Sequence, residues 1–387
     1  MRRVCLMLLL LALLLPTGCM QSRNLDEYAY ILNVGVERGT TMPYHVTFLV
    51  SVPNAGTEEA LVKNVVIGAE ARTLSEAVET LNAAYPGRLS FSRASLLVLH
   101  EDLARAGEQG AFLDFSFGKT DLWQNLRVAV SRDPIRELFE GWTSETDPSL
   151  RKIKTAAGDL ARESGVTADV GYDEYLEAVS DKRYDAMLAY AGVSEYALTE
   201  DLVGGEAYPY VGGSLLSEGL LKTAGVGCAV FDGERMVGIL SGRHVTAVLM
   251  VTDAFRRAEL LFPLPDGTPM SVALYRVRAP KITMNENGAR AELFLEAEPV
   301  SPQSTGMERE ELKAFLSERI ESELKAVLSA LQRVNSDAMG FGRYAVRRFK
   351  STEEWEAYDW KATYRTLNVT FSVKLMLSHE PASGGTT

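Results

Sequence analysis

The spacing of apolar and polar residues changes period several times along this chain, and each change marks an element. Tyr28 to Val36 is an apolar run that reads as a strand, ended by the turn Glu37-Arg38-Gly39. Tyr44 to Val52, rich in Val, Thr, Phe and Tyr, reads as its hairpin partner, and Val65 to Ala71 as a third strand. At Thr73 the period lengthens. Leu74, Ala77, Val78 and Leu81 fall on one helical face, with Thr73 placed to cap the helix and Glu76 to reach back. Ala84-Tyr85-Pro86-Gly87 stops that helix. Ser95 to Leu99 and Leu126 to Val130 then predict buried strands, Glu101 to Ala106 a short helix, and Pro134 to Phe139 a helix with proline near its start. These elements make an N-terminal α+β domain over residues 19–148, with a polar linker at 144–147.

The middle region, 149–265, is less regular. From Leu150 to about Val203 the pattern reads as mostly helical, interrupted by Gly165, Gly171 and Gly192, and a loose glycine-rich stretch follows to Gly213. Order returns where Val226 to Phe231 and Met236 to Leu240 flank Asp232-Gly233, a two-residue hairpin signal. A C-terminal α+β domain spans 266–380. It holds strands at Ser271 to Val277 and Ala289 to Glu298. A long amphipathic helix runs from about Glu308 to Val334, with Leu312, Leu316, Ile320, Leu324, Val327, Leu328 and Leu331 on one stripe. Leu367 to Leu377 alternates strictly and is a half-buried strand, and the small polar tail 381–387 reads as disordered. The fold class is therefore α+β, with mixed sheets flanked by helices.

Charge narrows the partners. With 40 basic and 52 acidic residues the formal net charge is −12, so nucleic acid is excluded as a partner and broad adhesion to anionic lipid is disfavoured. The N-terminus offers another route to a membrane. Arg2 and Arg3 precede an unbroken apolar run, Val4 to Leu15, too short to span about 30 Å of hydrocarbon, so residues 1–18 read as a signal peptide. Pro16-Thr17-Gly18-Cys19 resembles a bacterial lipobox, with Pro16 where leucine is usual, and makes Cys19 the expected lipidation site, a diacylglyceryl cysteine carrying palmitate-type chains. Two or three acyl chains give stable attachment where one is marginal. Cys5 leaves with the signal, so Cys228 is the single thiol of the mature chain, and its apolar strand context predicts a buried, inert group.

No catalytic constellation is legible. The four histidines, His45, His100, His244 and His379, are scattered without metal-ligand spacing, and no nucleophile elbow, phosphate loop or calcium loop occurs. The acidic pairs Asp26/Glu27, Glu101/Asp102 and Glu353/Glu354 are what a chain this acidic carries by chance. Gly340-Phe341-Gly342 reads as a turn after the long helix. The sequence predicts a non-enzymatic protein without metal or cofactor, and it assigns no ligand-binding residues.

Three patches together resemble the Ger(x)C family, the lipoprotein C subunits of spore germinant receptors. The first is Cys19 to Glu27 running into the strand that ends Gly35-Val36-Glu37, with Met20 and Gln21 departing from the usual Trp and Asp. The second is the hairpin Gly225 to Leu240. The third is Leu331-Gln332 followed by Asp337-Ala338-Met339-Gly340-Phe341-Gly342, Trp355, Trp360 and the alternating last strand. The likeness is thinnest between about 140 and 210. It implies a three-domain mixed protein tethered to the outer face of the inner spore membrane. There the family supports assembly or signal coupling with two multispanning subunits, A and B. A solute-binding lipoprotein of a transporter shares the lipobox and acidity but is built from repeated βα units, which this pattern lacks. A cell-surface hydrolase lacks its constellation.

Overall fold

A computed structural model describes residues 28–52, 63–84, 88–110, 112, 126–143, 161–193, 202–203, 223–285, 288–299 and 307–378. The signal segment, Cys19, the linker at 144–147 and the tail at 381–387 lie outside these residues.

Among the described residues nine strands make the first sheet: β1 (Tyr28–Arg38), β2 (Tyr44–Val52), β3 (Lys63–Ala71), β4 (Arg88–Ser90), β5 (Leu96–His100), β6 (Arg127–Ser131), β7 (Met187–Val193), β8 (Thr223–Asp232) and β9 (Arg235–Leu240). Their order is β3-β2-β1-β5-β6-β7-β8-β9, with β4 also paired to β1. The sheet is mixed. The β1/β2/β3 meander and the β7/β8/β9 meander are antiparallel, and the pairs β1/β5, β5/β6 and β6/β7 between them are parallel. Helices α1 (Leu74–Ala84), α2 (Glu101–Ala106), α3 (Ile135–Thr143) and α4 (Tyr172–Asp181) supply connections, as parallel pairing requires. One face packs Phe48, Leu97, Val128, Leu188 and Tyr190 with Leu81, Leu103 and Tyr175 from the helices. The opposite face buries Leu49 and Val98 under Ile135, Leu138, Phe139 and Trp142 of α3. Glu37 at the end of β1 accepts the N–H of Ile135 at 3.2 Å, satisfying one of the free donors that open α3.

The first sheet therefore takes strands from both sides of position 148/149, β6 before it pairing with β7 after it. Its β7 corrects the helical reading of 150–203. Met187–Val193 is a central strand whose residues 187 to 190 are buried whichever way they point. A strand covered on both faces shows no alternation, so an apolar run of this length carries no period to read. Helix α4 is the helical part of that reading. The β8/β9 hairpin exists, but its turn is shifted by one residue. Asp232 pairs with Arg235 as the last strand residue, and the two-residue loop is Gly233-Glu234, with a positive φ (+61°) at Gly233 alone.

The second sheet has, among the described residues, four strands, β10 (Arg257–Pro263), β11 (Pro269–Asn285), β12 (Gly288–Pro299) and β13 (Val369–Leu377), in that order. The first three are antiparallel, and β13 runs parallel to β12. The β12-to-β13 crossover is the long helix α6 (Arg309–Arg333), then α7 (Gly342–Ala345), α8 (Thr352–Ala357) and α9 (Trp360–Arg365). The α6 stripe Leu312, Leu316, Ile320, Leu324, Val327, Leu328 and Leu331 is buried as its spacing demands. Between the sheets lies α5 (Gly242–Val251), buried along nearly its whole circumference and packed on β8, β9, β11, β12 and α6. Its polar residues Arg243 and His244 sit together in the first turn and the rest, Val245–Val251, is apolar but for Thr246, so no polar face runs along the helix to betray it. One continuous core thus joins Cys228, Val230 and Leu240 of the first sheet to the second sheet and its helices.

Candidate functional site

Among the described residues, a dense cluster of buried polar groups lies where the loop after α6 meets the first sheet. Helix α6 ends on Asn335 in the left-handed conformation (φ +59°). Asn335 N–H donates to Gln332 C=O at 3.2 Å and Ser336 N–H to Leu331 C=O at 3.0 Å, a Schellman closure with asparagine in place of glycine. The choice of asparagine has a use. Its Nδ2 donates to Asp232 Oδ2 at 3.1 Å, and its Oδ1 accepts from Arg365 Nε at 3.1 Å.

Two residues further on, Asp337 is completely buried. Its Oδ1 accepts the N–H of Phe341 at 2.9 Å. Its Oδ2 accepts the N–H of Gly342 at 2.8 Å and Nε1 of Trp360 at 3.1 Å. The Asp337 carboxyl is what folds Gly340-Phe341-Gly342 into a tight turn opening α7. Gly342 sits so close to the backbone ahead of β7 that a Cβ there would lie 2.2 Å from the Arg183 carbonyl oxygen.

Across the junction Asp185, just ahead of β7, accepts the Asp337 N–H on Oδ2 at 2.6 Å and the Gly233 N–H on Oδ1 at 2.9 Å. Lys361 of α9 closes the cluster. Its Nζ lies 2.5 Å from Asp185 Oδ2, 2.6 Å from Asp232 Oδ1 and 3.0 Å from the Asn335 carbonyl oxygen. Two carboxyls, those of Asp185 and Asp232, thus share one ammonium, and the third, Asp337, is tied to Asp185 through its backbone N–H. Burial pushes the Asp185 carboxyl above its ordinary range, against the pull of Lys361. Burial, with Asp185 beside it, pushes Asp337 up to about 7, against the N–H groups of Gly342 and Phe341 and the indole of Trp360.

Next to this clasp opens a cleft of about 320 Å³ bordered by Asp185, Glu174, Tyr184, Asp253, Gly340 and Arg343. The Arg343 guanidinium stacks 3.4 Å from the Tyr184 ring centre and 3.8 Å from Glu174. Each Asp185 oxygen is already engaged by the clasp. Arranged this way, the carboxyls lock backbone segments together. They do not present a base or nucleophile to the cleft.

The histidines stay apart. His45 is on β2, His100 accepts the Asp102 N–H at 3.3 Å at the start of α2, and His244 is buried in α5, while His379 lies outside the described residues. No group of three or more metal-ligating side chains forms among the described residues. Glu101 pairs with Arg105 at 2.6 Å and accepts the Tyr190 hydroxyl, and Glu354 accepts the Lys350 N–H at 2.8 Å, so two of the acidic pairs are spent on local structure. Cys228 is fully buried and its thiol is pushed up to about 12 by that burial. Of the clasp, the sequence reading singled out Asp337 with Gly340-Phe341-Gly342 and the hairpin around Asp232. It missed Asp185, Asn335 and Lys361. The signal for Asp185 was there: a lone acid at the head of an apolar run is a buried charge that needs a partner.

Known proteins fit this architecture. The family described as "Spore germination protein N-terminal domain" matches residues 21–193, and that described as "Spore germination B3/ GerAC like, C-terminal" matches residues 226–380. A protein of Bacillus subtilis (strain 168) named for spore germination, YfkR, is 22% identical over 389 residues, covering 94% of this chain and 93% of its own length. The crystal structure of the GerBC protein superimposes with a TM-score of 0.50 at 11% identity, covering 89% of this chain and 97% of that one, and so shares the fold. Two family matches in chain order, one on each side of the Asp185–Asp337 junction, give the conclusion that the chain belongs to the Ger(x)C family of spore germination proteins.

Proposed function

We propose that this chain is the lipid-anchored C subunit of a spore nutrient germinant receptor, held through Cys19 at the outer face of the spore inner membrane. There it supports assembly or signal coupling with membrane-spanning A and B subunits. The observation that carries the reading is the ordered pair of family matches, the first beginning at residue 21, directly behind the lipobox-like Cys19. No helix among the described residues is long and apolar enough to cross a membrane, so in this reading attachment rests on the acylated cysteine. The clasp suits a coupling role. It ties the two sheets into one body, so a force applied to one is carried to the other. The arrangement of buried, mutually satisfied carboxyls favours a structural part over a catalytic one. A transporter's solute-binding protein finds no support among the matches.

The test is affinity purification of the tagged protein from spore inner membranes, with mass spectrometry of the partners and of the N-terminal peptide. Co-purifying multispanning subunits and a diacylglyceryl Cys19 are expected, and Cys19→Ala should release the folded protein from washed membranes of cells lacking A and B. A soluble protein with an unmodified N-terminus, or one bound to a permease, would overturn the reading.

A further inference from the structure

Among the described residues, the second sheet is covered on one face only. Strand alternation sends Leu260, Phe262, Leu293, Leu295, Val373 and Leu375 towards α5 and α6, and leaves the intervening residues on a face against which no described helix packs. The only large apolar side chains that stand out into solvent among the described residues, Leu261 (50% exposed), Val277 (47%) and Met376 (53%), all belong to strands of this sheet and all lie on that open side. Two of them border a groove of about 610 Å³ that runs from this open side past β13 to Lys313 and Ser317 of α6 on the covered side.

The charge of this groove is opposite to that of the molecule. Arg278, Lys313 and Lys374 line it together with Val277, Phe294 and Met376, and no carboxylate is among its lining residues, although the chain carries −12. Arg278 lies flat on Phe294, 3.5 Å from the ring centre, and Lys313 pairs with the exposed Glu310 at 3.3 Å. The neighbouring edge of β13 is partly closed by α6. Glu321 accepts the Val373 N–H at 2.9 Å and Arg309 donates to the Leu377 carbonyl, so the edge is blunted against simple strand addition. What remains open is the side-chain surface.

We infer that this groove docks an acidic, apolar segment of a partner polypeptide, with carboxylates reaching Arg278, Lys313 and Lys374 and apolar side chains covering Val277, Phe294 and Met376. The inference rests on the reading of the chain as a receptor subunit and names the surface and partner chemistry for that assembly. A flat anionic bilayer fits less well, because Glu259, Glu292, Glu296 and Glu298 occupy the same sheet face and would be pressed against lipid phosphates. A polypeptide can place its charges to match both regions, which is how complementary interfaces gain specificity.

The experiment compares the full-length tagged protein with Arg278→Glu/Lys374→Glu and, as a control on α6 outside the groove, Lys325→Glu, each expressed in spores. Recovery of multispanning subunits from the inner membrane should fall at least tenfold in the double variant. It should be unchanged in the control, and all three should share one thermal midpoint. Met376→Ser should fall between. Equal recovery by wild type and double variant, with subunits recovered in both, overturns the groove alone. A wild type that recovers none overturns the receptor reading and this inference with it. Binding of the purified protein to phosphatidylglycerol vesicles that the double variant abolishes would assign the groove to lipid. A dimer seen by sedimentation that the double variant breaks would assign it to a second copy. Either result overturns the inference.

Discussion

The Asp185 carboxylate accepts the backbone N–H of Asp337 at 2.6 Å, and the Asp185 N–H donates in return to the Asp337 carbonyl at 3.2 Å, across 152 residues of chain. The two bonds pin the loop behind α6 to the segment that feeds β7, the strand at the junction of the parallel and antiparallel parts of the first sheet. Both residues are buried, so neither bond can be exchanged for water without opening the junction. Unfolding of one sheet is therefore coupled to the other.

Lys361 is the sole ammonium of this cluster, and its removal leaves Asp185, whose side chain is 1% exposed, beside Asp232 without a counterion. Breaking a buried pair by deleting one partner costs about 3–5 kcal/mol, whereas replacing both partners together costs far less. Lys361→Met should lower stability by about 3 kcal/mol in urea titrations, and Asp185→Asn/Lys361→Met should recover part of that loss. A single-variant loss below about 1 kcal/mol would mean that the ammonium does not hold the junction.

Asp337 gives the junction a pH dependence with a defined sign. Its folded value is pushed up to about 7, while in the unfolded chain it ionises near 4, the ordinary aspartate range. The buried carboxyl therefore favours the folded state fully below about pH 4, and the contribution is lost as pH rises towards 7, above which it changes no further. Wild-type stability should exceed its own neutral value by more at pH 5 than Asp337→Asn stability does. Urea midpoints at pH 5 and pH 7.5 for both proteins measure this. Parallel pH profiles would show that Asp337 titrates alike in both states. The variant should also be weaker at pH 5, because its amide NH₂ points at an N–H donor.

Much of this fold was legible wherever an element has one wet face. The α6 stripe and the alternation of β13 follow directly from residues such as Leu316 and Phe371, each buried as its spacing requires. Elements buried on all sides left no such trace. Strand β7 and the Ala247–Val251 run of α5 are uniformly apolar, so Val248 and Leu188 have no polar counterpart to set a period. The clasp was half legible for another reason. Asp337 stands in a recognisable local pattern, but its partners Asp185 and Lys361 come from distant segments, and only the closed fold brings them together.

Gly342 fills a position that tolerates no side chain. A Cβ there would stand 2.2 Å from the Arg183 carbonyl oxygen and 2.6 Å from Trp360 Nε1, and the nearer obstacle is backbone, which cannot rotate away. Gly342→Ala should therefore separate the loop from the segment ahead of β7 and destabilise by about 2–3 kcal/mol, as overpacking of a tight core does. Gly225→Ala, where a Cβ meets nothing within 4 Å, is the matched control and should change stability little. Equal midpoints for the two variants would show that the loop yields.

Cys228 should report global opening. It is fully buried in β8 beneath α5, and burial pushes its thiol up to about 12, so at neutral pH the folded state offers neither access nor thiolate. In the processed, acylated chain proposed above it would be the one free thiol. Ellman's reagent should leave the native protein unmodified over hours and titrate a single thiol at once in concentrated urea. At low urea the reaction rate should follow the unfolded population and rise with the same slope as the equilibrium titration. Fast labelling without denaturant would mean that α5 opens locally from the first sheet, and the two sheets would then not move as the single body that coupling through the Asp185–Asp337 junction requires.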